Sequence, residues 1–184
     1  MRKWIAVLVI ALAAGTACFP ADAWVEPLVV ELEWMEDTLL EAAYFCSLAV
    51  LAPTVIDQHV LAQRVVNILE GTEGPNFDLR VAVGEGLAGV LPKLQSLLRY
   101  VSQQDLPPEE GRALRISLAS IRVFLTLAHE AALRGVRAGR LAHGTLIMRT
   151  AYAHLVAALA PPELAYLGGV RPLLARLRAG LGGH

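Results

Sequence analysis

The chain has 184 residues and a formal net charge of −1; 55% of its residues are hydrophobic and 18% are charged. A composition this apolar excludes a disordered chain, and the near-zero charge excludes a nucleic-acid binder that depends on overall basicity. Two cysteines are too few for a disulfide-stapled small domain, or for a zinc or iron–sulfur site with four cysteine ligands from this chain.

Residues 1–23 have the pattern of a secretory signal peptide. Two basic residues precede an apolar run over residues 4–14, and residues 21–23 (Ala-Asp-Ala) match the small-residue cleavage pattern. The run is shorter than the ~20 residues of a membrane span. We therefore predict export with cleavage after Ala23, to the periplasm or the outside of the cell. A second interpretation makes Cys18 the lipidated cysteine of a bacterial lipoprotein, which would anchor the chain to a membrane.

Beyond residue 23, apolar residues recur at steps of three and four, which predicts α-helices rather than strands. The first helix is expected to open at Pro27, to be interrupted by Pro53 and to stop at Gly71. Two prolines at 107 and 108 start the most regular helix, and two more at 161 and 162 end the next. The predicted buried stripe of the regular helix consists of Leu114, Leu118, Ile121, Leu125, Ala128 and Ala132.

These helices predict an all-α fold. Residues 24–184 suffice for one domain, and their apolar stripes are buried when the helices pack into a bundle. We expect about four main helices followed by short C-terminal helices.

Two parts of the chain can be aligned with each other at an offset of 70 residues. In this alignment His59 matches His129, and arginine and proline pairs recur at the same offset. These matches predict a duplicated helix–loop–helix unit with copies over residues 38–100 and 108–170. Because many of the other matches involve alanine and leucine, which are abundant here, coincidence remains the alternative.

Charge is unevenly distributed along the chain. Residues 24–85 hold eleven acids and two bases, whereas residues 86–184 hold twelve bases and five acids. In the favoured interpretation the two parts pack together and neutralise one another. In the other, an acidic face and a basic face attract partners.

Histidines are the candidate ligands. If the duplication is real, His59 and His129 are symmetry-related and could meet across the bundle, where facing helices hold metal ions or haem. His59 and His129 are therefore the predicted site for a metal ion or haem. The alternative is that the histidines are hydrogen-bonded structural residues or are simply exposed. His143 and His154 are expected to share one face of a later helix.

The segment from His59 to Gly74 includes the run VVNILEGTEG. It resembles a motif of uncharacterised exported bacterial helical proteins, in which a helix with histidines ends in N-I-x-E-G-x-x-G before an acidic, glycine-rich loop. The resemblance covers roughly residues 55–90. Ala62 stands where a second histidine would be expected, and the acidic loop is reduced. The resemblance implies export and a helical fold, and it implies no established activity.

No catalytic pattern such as G-x-S-x-G or a phosphate-binding glycine loop is present. A calcium loop built from Glu70, Glu73, Asn76 and Asp78 is less well supported than a solvated loop, because the D-x-D-x-D-G spacing is missing. We therefore predict an exported, non-enzymatic binding or protein-interaction module without a cofactor. Its partner is expected to be a protein and not nucleic acid, with membrane contact only through a lipidated Cys18. The alternative is a metal- or haem-binding bundle.

Overall fold

The computed structural model describes residues 24–81, 88–160 and 168–181. These residues contain no β-strand, which confirms the predicted all-α bundle. The predicted signal peptide and the predicted short helix around residues 163–167 lie outside the described residues. The helices are α1 (Val25–Leu51), α2 (Val55–Glu70), α3 (Val90–Gln103), α4 (Pro108–Val136), α5 (Leu141–Leu159) and α6 (Val170–Leu181), with a short 3-10 helix at Leu79–Val81.

The helix ends follow local sequence signals. Pro53 separates α1 from α2, as expected of a residue without a backbone N–H. Thr54 then caps α2, because its hydroxyl oxygen accepts the backbone N–H of Asp57 at 3.1 Å. α1 begins at Val25, two residues before the expected Pro27. Gly135 lies in the last turn of α4, where the missing side chain lets α4 approach Met148 of α5.

Four helices form the bundle, in the spatial order α1, α2, α4, α5, with α5 returning to α1. Near the start of α2, His59 contacts Ala138 at the end of α4, and at the end of α2, Glu70 contacts His129 earlier on α4. These two helices are therefore antiparallel. The turns that join α1 to α2 and α4 to α5 consequently lie at the same end of the bundle, called the hairpin end below.

Of the other two helices, α3 packs mainly against α4 and also contacts α2 and α1, whereas α6 packs mainly against α1. Both are attached to the first half of α1. Three ion pairs with N–O distances of 2.6 Å hold them there: Glu31 with Lys93, Glu36 with Arg171, and Glu33 with Arg178. Each pair joins an acid of the acidic part of the chain to a base of the basic part. The uneven charge along the sequence is thus offset within the molecule at these contacts, as the favoured interpretation predicted.

The predicted stripe of α4 is buried in full, with no residue of it more than 3% exposed. By length and composition alone, α4 is the one helix of the described residues that could cross a membrane. The central helix of a bundle has the same properties, and α4 packs against α2, α3 and α5. We therefore describe it as a bundle helix.

The 70-residue register relates helices with different bounds. Shifted by 70, the break between α1 and α2 falls inside α4, and the glycine that ends α2 falls on the first residue of α5. The duplication of residues 38–100 as 108–170 therefore remains a prediction from the matched residues alone.

Candidate functional site

The last turns of α2 have three polar side chains on one face. Gln63, Asn67 and Glu70 follow one another at steps of four and three, the spacing that aligns side chains on a helix. Asn67 is fully buried and Glu70 is 6% exposed. Buried polar groups require hydrogen-bond partners, and the loop after α2 supplies them.

This loop, residues 71–78, folds back along α2. Asn67 pairs with the backbone of Asp78 in both directions: its Nδ2 donates to the carbonyl at 2.8 Å and its Oδ1 accepts the N–H at 3.0 Å. Gln63 Nε2 donates to the carbonyl of Asn76 at 2.7 Å. The carboxylate of Asp78 points away to Arg80, whose side-chain hydrogen bond lowers the pKa of Asp78 to about 2.

Glu70 is the centre of the site. Its Oε2 accepts the backbone N–H of Asn76 at 2.7 Å, and its Oε1 accepts the Asn76 side-chain amide at 2.7 Å. The same Oε1 lies 2.6 Å from Nε2 of His129 on α4. Because carboxylate oxygens accept hydrogen bonds, we assign the proton of this last contact to His129 Nε2.

The position of this proton bears on the hydrogen-bonding role of the other ring nitrogen of His129, Nδ1. The side chain of His129 is 16% exposed, and Nδ1 makes no hydrogen bond within the described part of the chain. In a neutral imidazole whose Nε2 carries the proton, Nδ1 is a hydrogen-bond acceptor. Glu70 therefore holds the ring of His129 in one orientation and leaves Nδ1 on its other side.

His129 borders an open cavity of about 530 Å³ between the loop, α3 and α4. Glu70 lies at its base and the loop residues form one wall. The remaining lining combines polar and apolar side chains: Glu73, Gln95, Arg122 and Thr126 with Pro75, Leu91 and Pro92. Groups of both charges thus line the same cavity as His129.

Two glycines make room for Glu70. A Cβ at Gly74 would overlap Glu70 Cβ, and a Cβ at Gly89 would overlap the backbone carbonyl of Glu70. Gly89 also has a φ of 69°, a conformation that favours glycine, at the N-cap of α3. The glycine at 89 therefore lets α3 approach the end of α2 and form the cavity wall.

The two predicted metal ligands lie at different levels of the bundle. His59 Nε2 lies 2.7 Å from the carbonyl oxygen of Ala138, whereas His129 contacts Glu70. Eleven residues of α2 separate His59 from Glu70, about 16 Å of helix. Within residues 24–81, 88–160 and 168–181, no group of three or more His, Cys, Asp or Glu could hold a metal ion. Metal or haem binding by His59 and His129 stays a prediction, and the observed partners do not bring the two rings together.

The remaining candidates have separate surroundings. In the hypothetical calcium loop, Glu70 and Asn76 are hydrogen-bonded to each other, and Asp78 is hydrogen-bonded to Arg80. His143 is exposed on α5, and His154 further along that helix is half-buried. The contact between Glu70 and His129 did not follow from the sequence. Its only local signal was a carboxylate ending the apolar run at the end of α2.

Compared with protein-family models, curated proteins and solved structures, the chain matches none. The resemblance to exported bacterial helical proteins therefore stays a prediction.

Proposed function

We propose that this protein is an exported, non-enzymatic binding module that holds a small polar ligand in the cavity beside Glu70 and His129. The supporting observation is the fixed ring of His129, which lines the cavity. A buried carboxylate orients the ring, and that carboxylate is itself held by the backbone and side chain of Asn76. Polar groups fixed in advance at a cavity wall give small-molecule sites their specificity.

The lining suggests the class of ligand. Glu73 offers an anionic carboxylate and Arg122 a cationic guanidinium, with the amide of Gln95 nearby on α3. A ligand with both an ammonium and a carboxylate group complements these charges, since charge-assisted hydrogen bonds are the strong ones. A free amino acid is the simplest molecule of this class.

The described residues support binding rather than covalent catalysis. The hydroxyl of Thr126, which lines the cavity, donates to the backbone carbonyl of Arg122 at 2.9 Å. Cys46 is buried in α1, and burial raises the pKa of its thiol to about 12, which keeps the thiol protonated and unreactive. Neither group is placed as an activated nucleophile.

Saturation-transfer NMR with the common L-amino acids tests the binding proposal on the purified protein. We expect at least one amino acid to bind with a Kd of about 1 mM or lower. Arg122→Gln and Glu73→Gln should each weaken this binding by about tenfold, because each removes one charge-assisted contact. Arg115→Gln is the matched control, an exposed arginine on the same helix that does not line the cavity.

Two results would overturn the proposal. If no amino acid binds, or if Arg115→Gln weakens binding as much as Arg122→Gln, the cavity is not the site. If the wild-type protein consumes the bound amino acid and His129→Gln does not, the protein is an enzyme.

Export is tested by the intact mass and the thiol count of protein recovered from the envelope of a bacterial host. We expect a mature chain that begins at Trp24 and has one thiol, Cys46. Because Cys46 is buried, Ellman's reagent should react with it only after unfolding. A chain that retains residues 1–23, or a lipid attached to Cys18, would show that cleavage after Ala23 is wrong.

A further inference from the structure

The hairpin end of the bundle combines exposed apolar side chains with arginines. Leu51 and Ile56, on the two sides of the α1–α2 turn, are 78% and 75% exposed. Arg134, Arg137 and Arg140 are exposed around the α4–α5 turn. These five residues are called the hairpin tip below. Exposed aliphatic residues beside cations are the composition of surfaces that lie against anionic membranes.

Hydrogen bonds join the two turns into one rigid end. His59 on α2 contacts the backbone carbonyl of Ala138 at 2.7 Å. The buried Gln58 donates through Nε2 to the carbonyl of Ala49 at 3.0 Å and to Thr145 Oγ1 at 3.1 Å, which connects α1, α2 and α5. The side chains of the hairpin tip therefore lie at the same end of the bundle, on two turns that are joined to each other.

The described residues that flank the two gaps lie at the end of the bundle opposite the hairpin tip. Gly89, after the first gap, packs on Glu70 at the far end of α2, and Gly169, after the second, packs on Ala160 at the far end of α5. α1 also begins at that opposite end. The hairpin tip is thus separate from the cavity of the proposed function and stands independently of it.

The charge of the hairpin tip is predominantly positive. None of its three arginines forms an ion pair within the described part of the chain. Two exposed acids lie nearby. Asp57 is in the adjoining turn, where its carboxylate accepts the hydroxyl of Thr54 at 2.6 Å, and Glu130 is four residues before Arg134 on α4. The arginines therefore remain available for an anionic surface.

We infer that the hairpin tip docks on an anionic phospholipid bilayer. Leu51 and Ile56 enter the boundary between headgroups and acyl chains, and the arginines contact lipid phosphates. A bilayer fits better than a protein partner because both apolar residues flank the outermost turn of a helical hairpin. There they are 78% and 75% exposed, as side chains that enter a bilayer must be in the free protein. This contact needs no lipid on Cys18.

Co-sedimentation with unilamellar vesicles tests the inference. We expect the protein to pellet with vesicles of phosphatidylcholine and phosphatidylglycerol and not with phosphatidylcholine alone. The double variant Arg137→Gln/Arg140→Gln should bind the anionic vesicles about 25-fold more weakly, at about fivefold per arginine. Leu51→Ser/Ile56→Ser should lower the affinity by about tenfold or more, because less apolar surface is buried.

Two matched controls lie away from the hairpin tip. Leu79→Ser removes an aliphatic side chain as exposed as Leu51, at 78%, beside the end of α2. Arg112→Gln/Arg115→Gln removes two exposed arginines from the first turns of α4, at the opposite end of the bundle. Both should leave vesicle binding unchanged, and all four variants alter only exposed side chains.

Several outcomes would overturn the inference. One is that the protein fails to bind the anionic vesicles, and another is that it binds neutral vesicles equally well. A third such outcome is that the control variants lose as much vesicle affinity as the variants of the hairpin tip. Release by millimolar inorganic phosphate would show that the arginines bind a small anion. Binding to polyglutamate that depends on Leu51 and Ile56 would show an acidic protein partner.

Discussion

Replacing Glu70 with alanine is expected to lower the free energy of unfolding by about 3–4 kcal/mol. The substitution leaves the N–H of Asn76, the side-chain amide of Asn76 and Nε2 of His129 without their acceptor. Each unsatisfied buried donor costs about 1–3 kcal/mol, and water entering from the cavity offsets part of the sum. Urea unfolding measures the loss. Hydrogen exchange of the Asn76 amide should accelerate in the folded protein, because the loop loses one of its anchors.

Glu70→Gln is the matched control, because glutamine retains the shape of the side chain. Its amide can donate to a flipped Asn76 side chain and to His129 Nε2, provided that the ring proton moves to Nδ1. We therefore expect a loss below about 1 kcal/mol together with reversal of the His129 tautomer, visible in its ¹⁵N NMR spectrum. If His129 kept its proton on Nε2 in this variant, or if glutamine cost as much as alanine, our assignment of Glu70 as the acceptor would be wrong. In the neutral ring, reversal would also convert Nδ1 from an acceptor to a donor, so the same variant should weaken ligand binding.

The helices were predictable because their ends depend on nearby residues. Pro53 interrupts a helix wherever it stands, since it lacks an N–H and its ring clashes with the preceding turn. Gly71 ends α2 with a φ of 77°, which few other residues adopt. The buried stripe of α4 follows from its spacing alone.

The site could not be predicted because its two main residues are 59 positions apart. Which residue of α4 meets Glu70 depends on how far the two antiparallel helices slide along each other, and packing of the whole bundle determines that register. His59 and His129 occupy equivalent positions in the two supposed repeat units. This equivalence suggested that their side chains meet across the bundle. In an antiparallel arrangement, moving toward the start of α2 means moving toward the end of α4, so His59 meets Ala138 instead.

The polar residues of α2 did contain a usable signal. Asn67 and Glu70 interrupt an otherwise apolar stretch whose other members, Val65, Val66, Ile68 and Leu69, are fully buried. Polar residues at such positions must find partners nearby, and the following loop is the nearest source. A motif that resembles those of exported helical proteins is thus accounted for by packing and hydrogen bonding within the chain.

Replacing Gly89 with alanine is expected to lower the free energy of unfolding by about 2–4 kcal/mol. The new Cβ would overlap the backbone carbonyl of Glu70, so α3 must move away from the end of α2. The φ of 69° adds strain for any residue with a Cβ. Since α3 forms one wall of the cavity, the variant should also weaken ligand binding. Urea unfolding and the amino-acid titration measure the two effects.

The variant Gly168→Ala distinguishes the strain of a positive φ from the steric overlap with the carbonyl of Glu70. Gly168 has nearly the same φ, 70°, but among the described residues the nearest atom to its Cβ would be 3.9 Å away, on Ser120. Both variants share the strain of a positive φ and the stabilisation that comes from a less flexible unfolded chain. The difference between them therefore reports the overlap with Glu70, and we expect Gly89→Ala to be less stable by about 1–3 kcal/mol. Equal losses would mean that the close approach of α3 to Glu70 is not needed for stability, and that the cavity wall can shift without cost.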